Sequence, residues 1–73
     1  MRRFEIYPNS RENCCVIVET KNNHRDINEM IYETLSEWFD VDDETRVNIA
    51  CWCELACVGD VYETDDLTLI VQK

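Results

Sequence analysis

Turn-forming residues are almost missing from this chain: Gly59 is its one glycine and Pro8 its one proline. Such a composition excludes a flexible linker, a low-complexity tract and a turn-rich all-β architecture. One glycine also rules out a phosphate-cradling loop and a nucleophile elbow, each of which needs several. Histidine is as scarce, with His24 alone available as a base for any cysteine nucleophile, and it falls at an expected helix start where the dipole disfavours its charged form. No run approaches the ~20 apolar residues that span a bilayer, and Met1-Arg2-Arg3 leads into Phe4-Glu5-Ile6-Tyr7 rather than into a hydrophobic signal segment. Basic residues are missing from the middle, where Arg46 is the single Lys or Arg between residues 26 and 66.

What is present suffices for one small domain over residues 1–73. Hydrophobic residues make up 45% of the chain despite a formal charge of −9, which argues against disorder. A core of this size lies near the lower limit at which burial offsets conformational entropy without help. The five cysteines, Cys14, Cys15, Cys51, Cys53 and Cys57, form an adjacent pair and a CxC-x3-C cluster, and their odd number does not fit a stapled secreted framework. They read as reduced thiols, and the expectation is a cytoplasmic protein.

Residues 2–8 alternate, with Phe4 and Ile6 on one side and Glu5 and Tyr7 on the other, as a half-buried strand requires. After a polar loop at 9–13, Cys14-Cys15-Val16-Ile17-Val18-Glu19-Thr20 is nearly continuous in apolar and β-branched residues, the composition of an interior strand hairpinned to the first. Asn23 followed by Asp26 predicts a helix N-terminus. Behind it Ile27, Met30, Ile31, Leu35 and Trp38 recur at spacings of three and four, with Phe39 beside them, so that Trp38 is expected in the core.

Residues 43–58 fit two patterns. Val47, Ile49, Cys51, Cys53, Leu55 and Cys57 alternate like a strand, whereas Val47, Cys51, Leu55 and Val58 make a helical stripe. Length decides for the helix, with Asp42-Asp43-Glu44 at its start and Gly59 just past its end. Ile49, Trp52, Cys53 and Ala56 lie off the main stripe, so this helix is expected to be sandwiched or buried against another copy. A short extended piece at Val61-Tyr62-Glu63, a turn at Asp65-Asp66 and a strand at Leu67–Val71 complete the chain. The expected fold class is α+β, a small three-stranded, mostly antiparallel sheet with two helices on one face, in the order β-β-α-α-β.

Thirteen acids stand between residues 26 and 66 against the single Arg46. On the first helix Glu29, Glu33 and Glu37 sit four apart, opposite the apolar stripe, and each like-charge contact at that spacing costs ~0.2–0.5 kcal/mol. Asp40, Asp42, Asp43 and Glu44 crowd the connection that follows, and Asp65 and Asp66 occupy a later turn. One reading is a solvated face that keeps a small domain soluble. The functional reading takes these nine carboxylates as a partner-binding surface complementary to a basic protein, standing in for a phosphate backbone in a nucleic-acid-binding groove. Direct nucleic-acid binding is not expected, because Arg2, Arg3, Arg11, Lys21 and Arg25 are scattered and lack an aromatic platform.

Two rivals remain. A zinc-stabilised module would draw on Cys14, Cys15, Cys51, Cys53, Cys57 and His24, but no CxxC knuckle is present and the CC and CxC spacings are awkward for simultaneous coordination. We expect no metal, no cofactor and no enzymatic activity. A homodimeric structural or regulatory protein with a merely solvated acidic face would use Trp52 as an interface anchor.

The stretch Trp52-Cys53-Glu54-Leu55-Ala56 with Gly59-Asp60-Val61-Tyr62-Glu63-Thr64-Asp65-Asp66 resembles small acidic proteins carried by phages and integrative elements of Gram-positive bacteria. The resemblance covers about a third of the chain and transfers no site residues. It implies a setting in which short acidic proteins inhibit host defence nucleases, as anti-CRISPR and anti-restriction proteins do.

Overall fold

The computed structural model describes residues 1–9 and 15–72. Strand β1 (Arg2–Pro8) is followed by β2 (Val16–Thr20), helix α1 (His24–Trp38), helix α2 (Asp43–Leu55), β3 (Val61–Glu63) and β4 (Leu67–Gln72). The sheet is four-stranded and antiparallel, in the order β2-β1-β4-β3. The class is α+β as expected, but the sheet gains a strand over the three expected, because Val61–Glu63 pairs with β4 in the register Val61↔Ile70 and Tyr62↔Leu69.

The hairpin of β1 with β2 forms with Phe4 opposite Val18. β2 is nevertheless an edge strand. β4 returns from the far end of the chain to β1, Phe4 opposite Val71, and takes the interior place beside it. Alternation then sorts the sheet into two faces. Phe4, Ile6, Val18, Leu67, Leu69 and Val71 point to one side and are buried with Ile27, Ile31 and Leu35 of α1 and Ile49, Ala50 and Cys53 of α2. The other face carries the rank Ile17, Glu5, Ile70 and Val61 across all four strands, all exposed or half-buried, and no helix among the described residues covers it.

α1 begins as the sequence predicts. The Asn23 side chain accepts from the Asp26 N–H at 2.8 Å, and the Asp26 carboxylate accepts from the Lys21 N–H at 2.6 Å. Its stripe is buried at Ile27, Ile31 and Leu35, yet Trp38, expected in the core, is 65% exposed. It stands on the same side of the helix as that stripe but is the last helical residue; Val41, three residues on, is buried in the core.

α2 is helical, which resolves the strand–helix ambiguity, but its inward side reverses the expectation. Ile49, Ala50 and Cys53 are buried, whereas Val47, Cys51, Leu55 and Val58 are exposed. The helix also stops at Leu55, short of Gly59. Gly59 serves a separate turn: it adopts φ +95°, its N–H donates to the Val71 carbonyl at 2.9 Å, and the Asp60 carboxylate accepts from the Cys57 N–H. That turn delivers the chain to β3.

Candidate functional site

The carboxylates expected to meet a partner divide into three groups. Glu29, Glu33 and Glu37 are exposed on the side of α1 opposite Ile27, Ile31 and Leu35. At the ~1.5 Å rise of an α-helix, successive members of this row stand about 6 Å apart along the axis. Arg25, one turn before the row, pairs with Glu29 at 3.2 Å, so the row has one partner where none was expected. The pair is solvent-exposed and screened, and takes little from the row's field.

Asp40, Asp42, Asp43 and Glu44 occupy the α1–α2 connection and the first turn of α2, all exposed. Two of them have structural work. Asp42 caps α2, its carboxylate accepting from the Thr45 N–H at 3.0 Å. Asp43 accepts from the Tyr32 hydroxyl and lies 3.6 Å from the Arg46 guanidinium. The third group, Asp65 and Asp66, sits on the β3–β4 turn in the sheet layer. Thr64 shapes that turn, its hydroxyl accepting from the Asp66 and Leu67 N–H groups, and Asn9 braces it through the Thr64 and Asp66 carbonyls. Glu33, Glu37, Asp40, Glu44, Asp65 and Asp66 make no side-chain hydrogen bond or ion pair among the described residues.

The one base of the acidic stretch is turned inward. Arg46 donates to the Val41 carbonyl at 2.6 Å, pairs with Asp43 and lies over the Tyr32 ring with 5.8 Å to its centroid. Its Nε is buried without a hydrogen-bond partner among the described residues, a cost accepted for stapling the connection to α1. Its charge is thus spent inside the fold, and the outward row is left nearly uncompensated. The remaining described bases gather elsewhere, Lys21 and Arg25 where α1 begins and Arg2 and Arg3 on β1. His24 and Asn28 both contact Glu54, so α1 starts where α2 ends. The α1–α2 connection is therefore the end of the helix hairpin where acids stand with a single, inward-turned base, whereas at the other end Lys21 and Arg25 stand among Asp26, Glu29 and Glu54.

Asp42 gives this region a pH signature. Hydrogen bonds from the Thr45 hydroxyl and then its backbone N–H hold the carboxyl below the ordinary aspartate range. A depressed folded-state pKa contributes stability that is present above the unfolded value, near ~3.9, and is lost as pH falls through the folded one. Urea midpoints measured between about pH 5 and pH 2 are expected to fall, and Asp42→Asn, which keeps a cap without the titrating charge, to flatten part of that fall.

Trp52 is half-buried against Tyr62 of β3, ring centroids 5.1 Å apart in an edge-on arrangement, so its ring packs within its own fold. Among the described residues no three metal-ligating side chains converge. Cys53 is buried, its thiol pushed up to about 12 by desolvation, while Cys51 and Cys57 face outward and His24 lies against Glu54. Cys14 lies outside the described residues. On the open sheet face Glu5, Tyr7, Pro8, Asn9, Cys15 and Thr68 border a shallow hollow of about 550 Å³. Burial and the neighbouring Glu5 raise the Cys15 thiol, which keeps it protonated at neutral pH and a poor nucleophile.

No protein-family model, curated protein or solved structure matches the chain. No described helix is long and apolar enough to cross a membrane.

Proposed function

We propose that this protein is a non-enzymatic acidic interaction module, with Glu29, Glu33, Glu37, Asp40, Asp42, Asp43 and Glu44 as its contact surface for a basic protein. The partner class that fits is a nuclease or other nucleic-acid-binding protein, whose phosphate-binding groove the carboxylates would occupy. The setting implied by the resemblance is a phage or mobile element, and the role that of an anti-CRISPR or anti-restriction inhibitor in the cytoplasm. The observation that carries this reading is the inward turn of Arg46. A merely solvated helix is normally laced with lysine or arginine one turn from its acids; here the row on α1 has Arg25 at its beginning, and the base that follows it in the chain is withdrawn into the fold.

A low-salt pull-down from host lysate, run with the native chain and with Glu29→Gln, Glu33→Gln and Glu37→Gln combined, tests the reading. Three exposed charge contacts of ~0.2–1 kcal/mol each give a loss of roughly tenfold in affinity. The captured protein is expected to be basic, to release nucleic acid on binding, and to lose affinity steeply with salt. Equal recovery of one partner by both chains would return the row to a solubility face.

A further inference from the structure

β2 (Val16–Thr20) ends one side of the sheet, and most of the devices that blunt an exposed edge are missing from it. It holds no proline, its register with β1 runs without a bulge from Val16 to Thr20, and no described strand pairs with its outer side. Its one charged residue, Glu19, lies on the open face beside Ile17 and opposite Arg3. Main-chain N–H and C=O groups therefore face outward along β2, a template for one more strand.

The helix above gives that edge a charge. α1 is the helix that packs on β2, whereas α2 reaches β3 through Trp52 and Tyr62. α1 meets α2 along His24, Asn28 and Tyr32, which contact Glu54, Glu54 and Asp43, and it buries Ile27, Ile31 and Leu35 beneath. The flank turned away from α2 is then Asp26, Met30, Glu33 and Glu37, and it overhangs the outer side of β2. Only residues 21–23 separate β2 from α1, which turns back over the sheet, so Glu33 and Glu37 come to the Val16 end of the strand. Lys21, Arg2 and Arg3 stand at the Thr20 end, with Glu19 and with Asp26, whose carboxylate accepts from the Lys21 N–H. Arg25, the one base of α1, pairs with Glu29 on the solvent side. The overhanging flank itself carries no base.

We propose that the outer edge of β2 takes up an extended, lysine- or arginine-rich segment of the basic partner as a fifth strand, its basic side chains on the helix side beside Glu33 and Glu37. The proposal rests on the reading of those acids as a contact surface and says how the partner is held. Main-chain bonds to β2 supply the grip, the glutamates select a basic segment, and alternate apolar side chains lie beside Ile17. A second copy of this chain fits badly. Pairing β2 with β2 about a two-fold axis would set the two α1 flanks, each with Asp26, Glu33 and Glu37, against one another.

The test is a titration of the full chain at about 50 mM salt with a peptide of about seven residues in which lysine and valine alternate. The peptide is expected to bind and to slow hydrogen exchange of the β2 amides that β1 leaves open. The same peptide N-methylated throughout keeps its charge and side chains but has no N–H to donate, and is expected to bind about tenfold more weakly or worse. Glu33→Gln combined with Glu37→Gln, at two exposed sites, is expected to weaken the unmethylated peptide about fivefold with an unchanged circular dichroism spectrum. Absence of binding, equal binding of the two peptides, protection that appears away from β2, or indifference to the glutamine changes overturns the proposal. Protection of β2 that rises with the chain's own concentration overturns it too, in favour of a second copy. Two peptides bound alike but both weakened by the glutamine changes would remove the added strand and leave the acidic contact surface standing.

Discussion

Phe4→Ala is expected to remove about 3–5 kcal/mol of folding stability, the range for deleting a phenylalanine from a core. Phe4 has no exposed surface and lies on the interior strand between Val18 of β2 and Val71 of β4, so three strands meet around its ring. A domain of this length has roughly 4–11 kcal/mol in hand at ordinary stability per residue. The substitution therefore takes a large share of the whole, and Tm should fall by about 12 °C or more. Ile17→Ala supplies the comparison. Ile17 occupies the open face of β2 and is exposed, and its loss is expected to stay within about 0.5 kcal/mol. Thermal unfolding followed by circular dichroism decides between them. Equal effects would mean that the helices do not cover the face on which Phe4 lies.

Most elements were legible because their patterns are local. Period-two alternation marks β1, the capping pair Asn23 and Asp26 marks the start of α1, and spacings of three and four mark its buried side. What escaped depends on contacts between residues far apart in the chain. Nothing within Val16–Thr20 distinguishes an edge strand from an interior one, because the distinction is made by β4, which arrives some fifty residues later to pair with β1. Val61–Glu63 is too short to register as a strand until β4 offers it an edge. Trp38 obeys the helical period and is still exposed, since periodicity reports direction from the axis and says nothing of what packs against the last turn.

The acidic surface was legible as composition, while its division of labour was not. That Asp42 caps a helix, that Asp43 holds Tyr32 and Arg46, and that Arg46 is spent internally all depend on the α1–α2 connection folding back on itself. These contacts separate acids with structural duties from those facing solvent unengaged. Glu33, Glu37, Asp40 and Glu44 are accordingly the positions where charge can be removed with least harm to the fold, and Asp42 the one where Asn is a milder change than Ala.

The two sides of α2 supply the sharpest contrast in the molecule. Ile49, Ala50 and Cys53 form one apolar side, Val47, Cys51 and Leu55 the other, and both meet the spacing rule for a core stripe. Sequence periodicity alone therefore chose the wrong side, and the helix is amphipathic only in the sense that one of its two apolar sides is covered. Ile49→Ala is expected to cost about 2–5 kcal/mol, as its side chain is fully buried in the core and its truncation leaves a cavity there. Val47→Ala is expected to change stability by no more than about 0.5 kcal/mol, with alanine's better helix propensity offsetting the lost partial burial. Urea titrations of the two variants beside the native chain read the difference directly as a shift in midpoint at constant slope. The reverse ranking would turn α2 half a revolution about its axis, burying the Cys51 side and exposing Cys53.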